Sequence, residues 1–197
     1  MKHRAALRPF RSEPDLNGFR FNAGVTWHRG VLELDFSLIG PLDALLIPTP
    51  VARPQRRDGL WQGTCFEAFL AIPGQKRYWE INLAPSGDWN LYALNDYRQG
   101  LQPEPAVQAL PGRWQRDPGH GAPAGQQRLD LNLSLDLSPL IPADSPLEVS
   151  ATAVLAHAKV LAHADLLAPA DPRCSYWAWR HVGSEADFHR RDSFLQL

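Results

Sequence analysis

RLDLNLSLDL, residues 128–137, places leucine at 129, 131, 133, 135 and 137 and sets Asp130, Asn132, Ser134 and Asp136 between them. A period of two belongs to a β-strand, because successive side chains leave a strand on opposite faces. The five leucines therefore share one core, and the polar set faces water. VLELDFSL, residues 31–38, repeats the pattern with Leu32, Leu34, Phe36 and Leu38 inward and Glu33, Asp35 and Ser37 outward, and LEVSATAVL at 147–155 offers a further strand. Short alternating strands bounded by polar turns predict an all-β chain, an antiparallel β-sandwich of jelly-roll or immunoglobulin-like type. Short helical turns are expected in the connections, at 137–146 and 160–167. The stretch 97–126, dense in Pro and Gly, reads as an exposed loop rather than a second domain.

The 197 residues fit a single domain, 1–197, with enough chain to bury a sizeable core. Lys+Arg 20 against Asp+Glu 21 leaves a net charge of -1, so neither nucleic acid nor an anionic membrane is favoured as a partner. No stretch approaches the ~20 apolar residues of a membrane helix, and the opening residues are too charged for a signal peptide, so a soluble, cytoplasmic protein is expected. Cys65 and Cys174 stand apart, without the spacing of a disulfide framework or a zinc site, and read as packing residues. His157, His163 and Asp165 match no metal-ligand pattern. A structural calcium would suit a sandwich, yet no acidic run has the spacing of a calcium loop.

GLWQGTCFEAFLAIPGQKRYWEINLAPSGDWNLY, residues 59–92, reads as three strands joined by two tight turns. A first turn at Pro73–Lys76 pairs Glu67 with Asn82, Ala68 with Ile81 and Phe69 with Glu80. A second turn through APSGD, with Gly87 in the left-handed region, pairs Asn82 with Asn90 and Leu83 with Trp89. Alternation makes Trp79 and Trp89 core residues. The other face collects Glu67, Glu80, Asn82, Asn90 and Tyr92 and is expected to be wet. Trp61, in a Gly-flanked turn before the first strand, lies outside the core pattern. An indole beside carboxylates and amides suits a sugar, whose C–H faces stack on aromatics while its hydroxyls take planar polar partners.

WQGTCFEAFL, YWEINLAPSGDW and the closing ADFHRRDSFLQL resemble DOMON-like domains, which are similar to family-nine carbohydrate-binding modules. Trp61 and Glu67 reproduce the family's W-x5-E strand entry, and Phe188, six residues before Phe194, stands where the family has its second aromatic. The resemblance implies a β-sandwich whose clamp, Trp61 and Phe188, holds a terminal sugar with His189 beside it. Two departures accompany it: Glu80 stands where the family has a basic sugar contact, and Phe188 replaces a Trp. Some DOMON domains hold haem through Met and His; here the one methionine is Met1, so no haem and no other cofactor is expected.

The expectation is thus a non-catalytic domain that binds a small polar ligand, a saccharide or saccharide-bearing metabolite, through Trp61, Glu67, Glu80, Asn82, Asn90, Phe188 and His189. Two rival readings stand beside it. In one, the motifs only maintain the fold of a structural or regulatory interaction domain. In the other, Glu67 and Glu80, or Asp187 and His189, serve a glycoside hydrolase-like enzyme. Asp187 is otherwise expected to cap the turn before the final strand. The residues leave the ligand's identity and the oligomeric state open.

Overall fold

The computed structural model describes residues 1–118, 125–158 and 173–197. The turns expected at 160–167, with His163 and Asp165, lie outside the described residues. Twelve strands follow in order: β1 (Lys2–Pro9), β2 (Arg20–His28), β3 (Val31–Gly40), β4 (Cys65–Ala71), β5 (Tyr78–Leu83), β6 (Trp89–Leu94), β7 (Gln102–Pro103), β8 (Arg113–Asp117), β9 (Gln127–Asp136), β10 (Glu148–His157), β11 (Arg173–Ala178) and β12 (Leu195–Gln196). The only helical segments described are single 3-10 turns at Pro14–Leu16, Leu42–Ala44, Leu60–Gln62 and Arg191–Ser193. At 137–146 the chain makes two hydrogen-bonded turns: the N–H groups of Leu140 and Ile141 both reach the Leu137 carbonyl, and Ser145 N–H reaches the Pro142 carbonyl.

The strands pair in the order β7-β6-β5-β4-β10-β11-β1-β2-β3-β9-β8, with β12 added to β10. Strand β1 joins the two halves: Lys2 to Leu7 pair with β2, while Arg8 and Pro9 pair with β11. The sheet therefore curls until its halves face each other. Phe66 of β4 marks the seam, with ring centroids 4.8 Å from Phe21, 5.4 Å from Phe36 and 5.0 Å from Trp114, residues of β2, β3 and β8. A buried Phe at such a hub stabilises a fold by roughly 3–5 kcal/mol relative to alanine.

The alternation that predicted β9 is the observed one, since Leu129, Leu131, Leu133, Leu135 and Leu137 are all buried. The β4–β5–β6 ribbon also has the expected register: Glu67 opposite Asn82, Phe69 opposite Glu80, and Asn82 opposite Asn90. Its second turn depends on Gly87, which has φ +93°, and whose missing Cβ would stand 2.8 Å from Pro54. The loop before β4 lies directly against that turn.

Two expectations are corrected. Residues 97–126 are not simply an exposed loop: β8 pairs with β9 along the sheet edge, and Glu104, Val107 and Leu110 are buried. RWQRD carries too much charge to read as a strand, because an edge strand exposes most of its side chains. The face of the ribbon bearing Glu67, Glu80, Asn82 and Asn90 is not wet either. All four residues are buried, and so are Phe69, Tyr78 and Tyr92 beside them. Two chain segments, the loop leading into β4 and a run near the C-terminus, cover it.

Candidate functional site

The first covering segment is the loop before β4. Arg57 N–H bonds the Trp89 carbonyl, and Trp89 N–H bonds the Gln55 carbonyl, so the loop runs against the start of β6. Asn90 is the strut beneath it. Its amide nitrogen donates to the Arg57 carbonyl and to Asp58 Oδ1, both at 3.0 Å, and its amide oxygen accepts Arg56 Nη1 at 2.9 Å. Tyr92 donates its hydroxyl to the same Asp58 oxygen at 2.7 Å. Arg56 stacks 4.4 Å over Trp89 and bonds the carbonyls of Leu91, Glu104 and Val107. Locked in this way, the loop delivers Trp61, which is 37% exposed and meets Tyr92 edge-on at 5.8 Å.

The second segment is the run from Ala186 to Phe194. Asp187 Oδ1 accepts the N–H of His189 at 3.1 Å, the turn cap expected from sequence. The same carboxylate binds Arg98 Nη2 at 2.9 Å and the Tyr97 hydroxyl, which ties the segment to the turn between β6 and β7. Phe188 packs against Phe69 and Tyr176, and His189 meets Phe69 edge-on at 5.2 Å. The Tyr78 hydroxyl accepts the backbone N–H of Arg98 at 3.2 Å and lies 2.8 Å from His189 Nδ1. The phenol's one proton is assigned to the line toward Nδ1, which leaves the imidazole proton on Nε2.

Between the two segments lies a cleft of about 330 Å³, bordered by Trp61, Leu101, Tyr176 and Phe188 and floored by Glu67, Phe69 and Glu80, with Arg98 and His189 on its wall. That volume falls at the small end of the roughly 300–1,000 Å³ range of small-molecule sites. Of the seven residues singled out in the sequence, Trp61, Glu67, Glu80, Phe188 and His189 line this cleft. Asn82 and Asn90 are fully buried beneath it. Asn82 orients the floor, donating to Glu80 Oε1 at 2.8 Å while its own oxygen faces the Cys65 thiol at 3.8 Å.

Both floor carboxyls are shifted. Burial holds Glu67 well above the usual carboxylate range, and the charge of Glu80 adds to the effect against a hydrogen bond from Thr152 at 3.1 Å. Burial also raises Glu80, opposed by its bond from Asn82 and by the field of Arg98. The second oxygen of Glu80, Oε2, is buried without a hydrogen-bond partner. His189 Nε2 stands 3.9 Å from that oxygen, beyond hydrogen-bond length. Burial, reinforced by Arg98, depresses His189 to about 4, so it is neutral at pH 7. Cys65 is buried and its thiol is pushed up by desolvation and then by Glu67.

Sequence reasoning missed Arg98. It sits in the DYRQG turn with φ +52°, a left-handed conformation uncommon outside glycine, and only the folding of that turn back onto Tyr78 brings it to the cleft. Among the described residues no group of three or more His, Cys, Asp or Glu is arranged to hold a metal ion. Nor is any helix among the described residues long and apolar enough to cross a membrane.

Neither a family model nor a curated protein matches the chain. A solved structure does: a candidate carbohydrate-binding protein from Bacteroides uniformis superposes with a TM-score of 0.61 at 11% identity, over 98% of this chain and 84% of that one. At that identity the likeness establishes a shared all-β fold, and the chain is similar to this protein in architecture.

Proposed function

We propose that the cleft binds a saccharide or a saccharide-bearing metabolite without transforming it, as a DOMON-like domain similar to family-nine carbohydrate-binding modules. One observation carries this reading: two separate covering segments bring Trp61 and Phe188 to the border of one cleft whose floor is a pair of carboxyls, one with an unpaired oxygen. Aromatic borders take the C–H faces of a sugar, and the floor takes its donors. The shared fold with a candidate carbohydrate-binding protein adds weak support.

The absence of chemistry is part of the proposal. Glycosidase carboxyls flank the scissile bond, one protonating the leaving oxygen and the other working from the opposite side of the ring. Glu67 and Glu80 instead share one floor on neighbouring strands, and burial raises both. A larger depression of about 770 Å³ on the outer face of β3 and β9 is a poorer candidate, since four of its charged groups are already paired as Arg4 with Asp35 and Arg128 with Asp130 and no tryptophan or tyrosine lines it.

The test is a saccharide array followed by calorimetry on Trp61→Ala. The variant should bind a hit more weakly by about 1–3 kcal/mol, the worth of an aromatic anchor, or roughly one to two decades in affinity. Its melting temperature should not change, because the ring is exposed and stands at the edge of Tyr92. Unfolding of the variant would make Trp61 a structural plug and favour an interaction domain without a small ligand.

A further inference from the structure

The floor of the cleft sets two buried acidic side chains on neighbouring strands. Glu67 and Glu80 are 2% and 4% exposed, both line the cleft, and the buried Glu80 Oε2 has no hydrogen-bond partner. Among the described residues no charged group bonds either carboxyl, and Arg98 acts on Glu80 only through its field. Arg98 gives its guanidinium to Asp187, whose carboxylate also takes the Tyr97 hydroxyl and the His189 N–H. His189 is neutral at pH 7, and its Nδ1 is occupied by Tyr78. Thr152, Asn82, Cys65 and Tyr78, the other polar groups against the pair, are uncharged.

We propose that the ligand presents a primary ammonium group to the Glu67–Glu80 floor, which makes its class an amino sugar. This rests on the saccharide reading above and narrows it. An ammonium carries three donors and a charge, so it satisfies Glu80 Oε2 and lies against both carboxyls together. A hydroxyl would satisfy one lone pair but bring no charge to favour the ionised carboxyls. A carboxylate or phosphate would be repelled from the same floor. The border suits the same group: Trp61, Tyr176 and Phe188 offer ring faces to a cation as well as to the C–H face of a pyranose.

Calorimetry at pH 6.5 with matched trios tests the inference: glucose, glucosamine and N-acetylglucosamine, and the corresponding galactose and mannose sets. At least one amino sugar should bind about tenfold more tightly than both its parent and its N-acetyl form, as one charge-assisted hydrogen bond implies. The preference should disappear in Glu80→Gln, which keeps the side-chain shape, and independently in Glu67→Gln, each verified as folded by its melting curve. A parent sugar that binds as tightly as its amine overturns the inference while leaving the saccharide reading intact. An amine preference that persists in both folded variants also overturns it. If none of the nine sugars binds, the saccharide reading falls and takes the inference with it.

Discussion

His189 provides a quantitative test of how the cleft is covered. Burial and the nearby Arg98 lower it from 6.5 to about 4. In that window the unfolded chain takes up the proton and the folded chain does not, so stability falls as the pH falls from 6.5 toward 4 and levels off below the folded value. At about 1.4 kcal/mol per pH unit, the interval is worth about 3 kcal/mol. Replacing His189 with Phe removes the titration and leaves Glu67 and Glu80, whose raised values act in the opposite direction, in both proteins. Urea unfolding of wild type and His189→Phe between pH 7.5 and 4 isolates the histidine. Loss of the Tyr78 bond offsets the curves by a constant, while the wild type should lose about 3 kcal/mol relative to the variant on acidification. A pH-independent difference would refute the burial argument. A relative gain by the wild type would refute it differently, by showing that protonated His189 closes the 3.9 Å gap to Glu80 and gains a partner.

Two further outcomes follow from the same geometry. Leu133→Asp puts a carboxylate into the core without a partner and should cost several kcal/mol, whereas exposed Asn132→Asp, between Asp35 and Arg113, should stay within about 0.5 kcal/mol; equal melting temperatures would contradict the facing of β9. Because the folded value of Glu67 is raised, the wild type loses stability as pH rises above the ordinary 4.5, so Glu67→Gln should melt higher than wild type at pH 8 and show little difference at pH 4; a gap that is constant with pH would remove Glu67 from the buried pair.

The parts of the fold that were legible in the sequence are those in which local pattern and tertiary environment agree. β9 alternates strictly because one face meets the core and the other meets water, and β3 follows the same pattern except at Ser37, which is buried. The ribbon register was fixed by two tight turns and by the need to keep Phe66 opposite Leu83. β1 and β8 were missed because KHRAALRP and RWQRD expose most of their side chains. The covering of the polar face was missed because no local pattern encodes a loop 30 residues upstream or a tail 100 residues downstream. A signal was nevertheless present: CFEAFLA, YWEINL and WNLYAL carry apolar residues on both faces, as strands covered on both sides do. The lining of the cleft was legible to the same degree. Trp61, Glu67, Glu80, Phe188 and His189 meet in one cleft, the supporting positions of Asn82 and Asn90 follow from the ribbon's burial, and Arg98 depended on a turn that sequence does not orient.

The shared strand β1 has a consequence for how the molecule comes apart. Most of its length pairs with β2 and its last two residues with β11, so neither leaf retains a complete set of neighbours once β1 is withdrawn. The seam at Phe66 binds the leaves a second time, through side chains rather than backbone. Amide exchange should then find one unit rather than two, with protection in β2 and in β10 lost in the same opening event.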